Sequence, residues 1–516
     1  MSKHHRSAIE IILSAIALTA VLLLFAKAFI DVDNNYDVGW YHLPFAARIW
    51  GIVPESAFLT EAKIEHRYDG FPLLANFFQG LLWKLTGRVQ GANLVGYLSL
   101  VSYFFLLRSF FQVPLYLSAI AILAIPAVLT HATSAFVDLP GNVGVSVLML
   151  MLYRFFSQSQ LPSKRELLFA VLGAAMAVNT KPQLQPLVFV LYVVAGIRLL
   201  WLYFEYTTPG KRRLWLTVPL SFVASILIFA TPTKNLVVYG NPLYPIKIEV
   251  AGIVLNHQLN PETYSEGDRP QKWLRSILEI NTPGWSADQW NAGHDEYLDR
   301  AGGFFGAYVV FNCLLLLVLA IREQLVNRQL SQLSDQSRAK SRSATTALII
   351  MLLVSLIPAN FPQSHELRYF MFWMITLVSL NLVLISKFAA QFRGRLQVKH
   401  AGLVYLLFWT FVWTTISKFY LLPDGRSLDR YLTNNIKQEL VEQTVPNQRT
   451  CIIARHAINP NAVPFASIAN VFFYSAYFHP EVGHDYSLQA AIEPAECGDL
   501  TMIPPNAADF IEPADS

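Results

Sequence analysis

Phe71-Pro72-Leu73-Leu74-Ala75-Asn76-Phe77-Phe78, continuing to Gly87, is the stretch on which the topology of this chain turns. It is apolar and could be counted as a membrane crossing. Counting it reverses every connection from Arg108 to Lys211, Arg212 and Arg213 and places their basic residues outside. Short loops on the inner side of a membrane carry the excess of Lys and Arg. The segment is therefore expected as an interfacial helix on the outer leaflet, not as a span.

The rest of the chain supplies the membrane that this reading requires. Of 516 residues, 54% are hydrophobic and only 14% are charged, against roughly a quarter in an ordinary soluble protein. Mean hydropathy is positive. A soluble enzyme, a disordered chain and a repeat solenoid are all disfavoured. The net charge of +4 is too small to point to nucleic acid. Three cysteines exclude a disulfide-dense scaffold and a Cys-based zinc ribbon.

A helical crossing takes about 20 mostly apolar residues. Eleven candidates lie near 8–29, 91–111, 115–131, 140–157, 166–180, 183–204, 214–231, 303–321, 344–358, 368–386 and 401–421. The first reads as an uncleaved anchor, because its apolar run exceeds a usual signal-peptide core. With the N-terminus inside, the inner connections carry Lys3 and Arg6, Arg108, Arg154 with Lys164 and Arg165, Lys211–Arg213, Arg322 to Arg342, and Lys387 to Lys399. The short outer connections carry only Lys181 and Arg368. The expected fold is a polytopic α-helical membrane protein with about eleven transmembrane helices and outer juxtamembrane helices.

Residues 1–421 form the membrane module, with large outer segments near 30–90 and 232–302. Residues 422–516 are expected to form a small C-terminal α/β domain outside. A helical stretch near 427–442 there is followed by the strand-like Thr450-Cys451-Ile452-Ile453-Ala454. Cys451 and Cys497 both fall in this tail, where an oxidising compartment would permit a disulfide.

The scarce charges at the outer mouths are the candidate chemistry. Asp31-Val32-Asp33-Asn34-Asn35-Tyr36-Asp37 follows the first span directly. Asp31 and Asp33 have the spacing of a chelating pair on an extended chain, an alternative in which a divalent metal takes part. Asp37 leads into the aromatic run Trp40-Tyr41-His42-Leu43-Pro44-Phe45 and is placed to accept a proton from an attacking hydroxyl. Its plainer role is a helix N-cap. Arg67, in His66-Arg67-Tyr68-Asp69-Gly70, meets an anionic lipid or anchors to headgroups. Asp138 is the one charge in a long apolar stretch, which makes it functional by default or a cap on a helix opening at Pro140. Lys181 and Arg368 break the charge rule, and a phosphate is the natural partner for a cation kept outside. Ser364-His365-Glu366-Leu367-Arg368-Tyr369 brings His365 to the same mouth. There is no Walker loop, dinucleotide loop or zinc-binding histidine pair, so the energy for any synthesis arrives with an activated substrate.

These residues resemble the GT-C membrane glycosyltransferases, in particular the family 39 branch holding protein O-mannosyltransferases and the lipid A aminoarabinose transferase. Asp37, with Tyr41 four residues on, resembles the catalytic Asp that opens the first outer loop in that group. Gly70-Phe71-Pro72-Leu73 resembles the entry to its third juxtamembrane helix, and Val137-Asp138-Leu139-Pro140 its second acidic position. Thr180-Lys181-Pro182 is similar to its Thr-Lys-Gly segment at the lipid phosphate. Tyr239-Gly240-Asn241-Pro242-Leu243-Tyr244-Pro245 is like a loop common in bacterial members, and Arg368-Tyr369 like the Arg-Tyr opening a late span. Val38 follows Asp37 where many relatives carry a second acid.

The resemblance implies a bacterial inner-membrane enzyme whose N-terminus is cytoplasmic and whose C-terminal domain is periplasmic. It implies transfer of a sugar from a polyprenyl-phosphate donor to a lipid, glycan or protein acceptor, with inversion. Asp37 and Asp138 are the expected catalytic residues. Tyr41, His42, Arg67, Lys181, His365 and Arg368 are the expected substrate-binding residues. No cofactor is required if the two cations hold the phosphate. The alternative is a transporter or flippase of a lipid-linked sugar. Transporters carry internal repeats and midplane sites, whereas this chain shows no repeat and places its unusual charges at span ends.

Overall fold

The computed structural model describes residues 7–33, 35, 37–52, 62–207, 214–250, 252–260, 268–279, 294–295, 298–299, 302–333, 342–391, 398–416, 421–425, 450–453, 488–491, 498–499 and 501–503. Helices dominate them. The first six are α1 (Ala8–Ile30), α2 (Leu43–Ile49), α3 (Ala62–Gly70), α4 (Leu74–Thr86), α5 (Leu94–Phe111) and α6 (Leu115–Ile122). Then come α7 (Pro126–His131), α8 (Asp138–Ser157), α9 (Lys164–Val178), α10 (Gln185–Tyr206), α11 (Leu214–Ile228) and α12 (Ala230–Tyr239). The last five are α13 (Arg269–Leu278), α14 (Gly306–Leu333), α15 (Ser343–Asn360), α16 (Met371–Gln391) and α17 (Val398–Thr415).

Local chemistry sets where these helices start. Ser7 and Glu10 form a reciprocal capping box on α1, as Ser163 and Glu166 do on α9. Each box satisfies two amides that the first helical turn would leave unpaired. Helix α1 is apolar around its whole circumference. In α1, Leu13, Ala17, Ala20, Leu24 and Ala28 are buried, while Ile11, Ile12, Leu18 and Leu22 are exposed. A helix of this kind needs lipid on its outer side. The centre of the bundle is α8 and α16, whose apolar windows are 89% and 94% buried.

Among the described residues, seven helices are long and apolar enough to cross a membrane, or eight if the bent pair α11–α12 is one span. The chain is thus a multi-pass helical membrane protein, but four expected crossings take a different form. The stretch 115–131 is broken between α6 and α7, because Pro126 opens a new helix and holds Ile125 extended. The expected crossing at 166–180 is the 15-residue α9. The one at 214–231 bends by 76° into α12. The one at 401–421 is α17, whose first turn carries Lys399 and His400.

The stretch that opens at Phe71 forms α4, 13 residues long, about 20 Å at 1.5 Å per residue. That is too short for a hydrocarbon core of about 30 Å. Its amphipathicity is turned inside out. Asn76 and Gln79 are buried, whereas Phe77, Phe78 and Leu85 are exposed. Gly80 allows α4 to lie against the Ala46 carbonyl of α2, where any Cβ would collide.

Outside the helices, two short antiparallel hairpins pair β1 (Glu249–Val250) with β2 (Ile253–Val254) and β3 (His294–Asp295) with β4 (Leu298–Asp299). In the tail, β5 (Thr450–Ile453) lies between β6 (Leu488–Ala491) and β7 (Thr501–Ile503) in a parallel sheet. The expected helix at 427–442 and the side chains of Cys451 and Cys497 lie outside the described residues.

Candidate active site

The site is built where the ends of α8, α9 and α16 meet the segment between α1 and α2. Asp37 lies 331 residues from Arg368 in sequence, yet Arg368 Nη1 donates to Asp37 Oδ2 at 3.0 Å. Lys181 Nζ donates to Asp138 Oδ1. Tyr369 joins the two pairs. Its ring centroid lies 4.0 Å from Lys181 Nζ, and its hydroxyl accepts from Arg368 Nη2 at 3.1 Å. Glu366 adds a third carboxylate, 3.4 Å from Arg368 Nε.

Neither candidate acid caps a helix. Asp37 precedes a short π-helical turn, Val38–His42, without a side-chain capping bond. Helix α8 starts at Asp138 itself and not at Pro140, with Val137 in the N-cap position. The capping role proposed for each carboxylate is therefore set aside by the geometry. Asn142 fixes the mouth instead: its amide donates to the Arg368 carbonyl at 3.1 Å and accepts from Phe372 N at 2.9 Å. That clamps α8 to the start of α16.

A small open cleft lies beside the pairs. Its walls include Tyr41, His42, Phe71, Asn76, Lys181 and Tyr369. Asp138 and Arg368 stand behind that lining, bonded to Lys181 and Tyr369, and Asp37 pairs with Arg368 behind them, its side chain 21% exposed. Among the described residues, Asp138 Oδ2, Thr180 Oγ1, Gln183 Oε1 and His131 Nε2 are buried without a hydrogen-bond partner. Such atoms are costly to leave unmade.

Burial sets the protonation states around the cleft. The His42 imidazole is pulled from its ordinary 6.5 to about 3 by desolvation, against the pull of Asp37 and Asp138, so it is neutral near pH 7. Desolvation also pushes the Tyr41 phenol well above its ordinary value, aided by Asp37. It stays a hydrogen-bond donor. The Lys181 ammonium is pulled down by burial while Asp138 pushes back.

Two buried amides that sequence reading passed over position the loops. Asn76 Nδ2 donates to the His42 carbonyl at 3.0 Å, and Gln79 Nε2 to the Ala135 carbonyl at 2.5 Å. Their signal was present: two polar residues three apart inside an apolar stretch share one helical face. Asp33 completes the brace, accepting from Ala135 N at 2.8 Å and from Asn35 N at 3.0 Å. Burial raises its carboxyl above the ordinary value.

The Asp31–Asp33 pair does not converge on one point. Asp31 accepts from Lys27 at 3.0 Å and from Asp424 N at 3.1 Å, whereas Asp33 turns to Ala135. Arg67 lies over the rings of Tyr41, at 5.3 Å, and Phe71, at 5.9 Å. It stands beside the cleft without lining it. His365 is buried in the turn before Arg368 and does not line the cleft either.

The arrangement therefore offers two cations, three carboxylates and a neutral imidazole around one cleft in a membrane protein. No family model matches the chain, and neither does any curated protein or solved structure.

Proposed function

We propose that the protein is an integral-membrane glycosyltransferase that moves a sugar from a polyprenyl-phosphate donor to an acceptor hydroxyl. The observation that carries this reading is the linked pair of ion pairs, Asp37–Arg368 and Asp138–Lys181, joined through Tyr369 beside one cleft. Two buried cations suit a phosphate, and a carboxylate beside them suits removal of a proton.

In the reaction the acceptor oxygen forms a bond to the anomeric carbon as the carbon–oxygen bond to the phosphate breaks. The acceptor proton goes to Asp37. The bonding electron pair leaves on the phosphate oxygen, where Arg368 and Lys181 stabilise the growing charge. A single displacement inverts the anomeric centre. Asp138 holds Lys181 toward the cleft, and its unpartnered Oδ2 suits a sugar hydroxyl. Tyr41 and the neutral His42 line the cleft as hydrogen-bonding walls.

In this reading the chain sits in the inner membrane of a bacterium with its N-terminus cytoplasmic. The cleft and the C-terminal segment are periplasmic, and the shorter apolar segments complete an eleven-crossing GT-C-like bundle. The test is turnover of a synthetic polyprenyl-phosphate sugar by protein in nanodiscs, read as released polyprenyl phosphate. Asp37→Asn is expected to slow release by about 10²–10⁴-fold while donor binding persists. Unchanged release would remove Asp37 as the base.

A further inference from the structure

Helix α12 departs from α11 by 76° after a break at Phe229, and the sequence explains why. Pro232 sits four residues after Ile228 and has no amide to give to the Ile228 carbonyl. Asn179, at the end of α9, supplies that donor instead. Its Nδ2 reaches the Ile228 carbonyl at 3.0 Å and the Leu227 carbonyl at 3.2 Å. Its Oδ1 accepts from Thr231 N and Thr231 Oγ1, each at 2.9 Å. Its own carbonyl accepts from Leu74 N at 2.8 Å, at the start of α4. One residue thus ties together the bend, the entry to α4 and the segment leading to Lys181.

Beyond the bend, α12 shows the same inverted amphipathicity as α4. Asn235 is 1% exposed and donates to the carbonyls of Gly70 at 2.8 Å and Tyr244 at 3.1 Å. Leu236, Val237 and Val238 are 54%, 79% and 62% exposed. Helix α11, directly before the bend, likewise exposes Val218, Leu220, Phe222 and Leu227. The β1–β2 hairpin adds exposed Ile253 and Val254, and the chain leaving it is tied to α12 by Asn256 Nδ2 on the Tyr239 carbonyl at 3.2 Å. Ten residues span about 15 Å, too short to cross a bilayer.

We propose that α12 rests in the lipid leaflet on the cleft side, with Leu236–Val238 in the acyl boundary, and that Asn179 holds it in that seat. The occupant of this face is lipid. Thr231, Lys234 and Asn235 of α12 bond to the protein, and its exposed apolar residues follow directly in the chain from α11, whose exposed apolar side chains already require lipid. The proposal stands apart from the reaction, and its test reads no turnover.

The test is a spin label at Val237→Cys, with Cys313, Cys451 and Cys497 replaced by Ser, in phospholipid vesicles. Its collision rates with oxygen and with a water-soluble nickel chelate report depth. Labels at Leu220→Cys in α11 and at exposed Lys247→Cys serve as references. The expected result is an oxygen-dominated label within about 5–10 Å of the headgroup boundary, shallower than Leu220 by about 12 Å, the rise of eight helical residues. A nickel rate matching Lys247 would overturn the proposal, because the face would then be in water. Low rates with both reagents would overturn it in favour of a covering protein or second copy. A depth equal to that of Leu220 would overturn it in favour of a deeper insertion. Asn179→Leu is expected to shift the Val237 label in depth, and an unshifted label would overturn the role given to Asn179. The seat is tested by the label with Asn179 in place, so it is decided even where the Asn179 variant fails to fold.

Discussion

Arg154 and Asp138 occupy opposite ends of the same helix, α8, and each takes part in an ion pair. At the basic end, Glu166 accepts from Arg154 and closes the capping box of α9, while Arg154 Nη1 donates to the Phe110 carbonyl at 2.7 Å. Nearby, Glu323 accepts from the Ala344 and Thr345 amides at the start of α15. These charges are spent on backbone that the helix ends would leave unpaired. At the other end, Asp37, Asp138, Lys181 and Arg368 pair across elements beside a cleft lined by Lys181, with buried oxygens nearby that find no partner among the described residues. The first arrangement is what an ion pair looks like when it holds helices together. The second resembles a surface awaiting a ligand.

The sharpest way to break this contrast is to remove one partner from each pair. Lys181→Met strands the Asp138 carboxylate in a buried setting, and loss of one partner of a buried pair costs about 3–5 kcal/mol. The Lys181→Met/Asp138→Asn double variant should recover most of that stability in thermal melts but not ligand binding. Arg154→Met should cost less, about 1.5–3 kcal/mol, because the arginine side chain is 25% exposed. It should leave binding at the cleft intact. Loss of binding with Arg154→Met would erase the distinction between the ends.

A smaller effect is expected from the braces under the cleft. Asn76→Leu removes one bond to the His42 carbonyl, and Gln79→Leu removes the bond to the buried Ala135 carbonyl, the second at about 1–3 kcal/mol and the first at less, because His42 also opens α2. The check is the thermal midpoint of each variant together with its affinity for a polyprenyl phosphate. Melts unchanged from the parent would show that α4 is held by its apolar contacts alone.

The smallest effect is a pH slope. His42 has its imidazole lowered to about 3 in the folded protein, while in the unfolded chain it titrates near 6.5. Between those values the unfolded chain binds the extra proton, so this group's contribution makes stability fall as pH drops from about 6.5 toward 3. His42→Gln should flatten that part of a thermal midpoint–pH curve. An unaltered slope would mean that His42 is not buried as described.

Much of this contrast was legible in the sequence because it rests on composition and sign. Lys181 and Arg368 stood out as cations on the wrong side, and Asp138 as a lone charge in apolar sequence. The pairings were not legible, since Asp37 and Arg368 lie 331 residues apart and meet only in the folded chain. Nor was Asn179, whose partners lie on α11, α12 and α4 and give no local pattern. The breaks in the expected crossings at 115–131 and 214–231 were not foreseen, for a readable reason. Both windows were judged on hydropathy, and Pro126 and Pro232 were not weighed as places where a helix loses an amide. That the stretch opening at Phe71 is not a span followed from charge bias, but the inverted face of α4 required seeing Asn76 and Gln79 as one stripe.

The central claim is that the paired charges beside the cleft form one site for a phosphate-bearing lipid. Its most direct test is native mass spectrometry of the protein titrated with a polyprenyl phosphate, comparing the unaltered sequence with Lys181→Met, Arg368→Met and Arg154→Met. Saturable binding is expected, weakening at least about tenfold, or 1.4 kcal/mol, in the first two variants and unchanged in Arg154→Met. Equal binding by all four proteins, or none by the unaltered one, would contradict the claim.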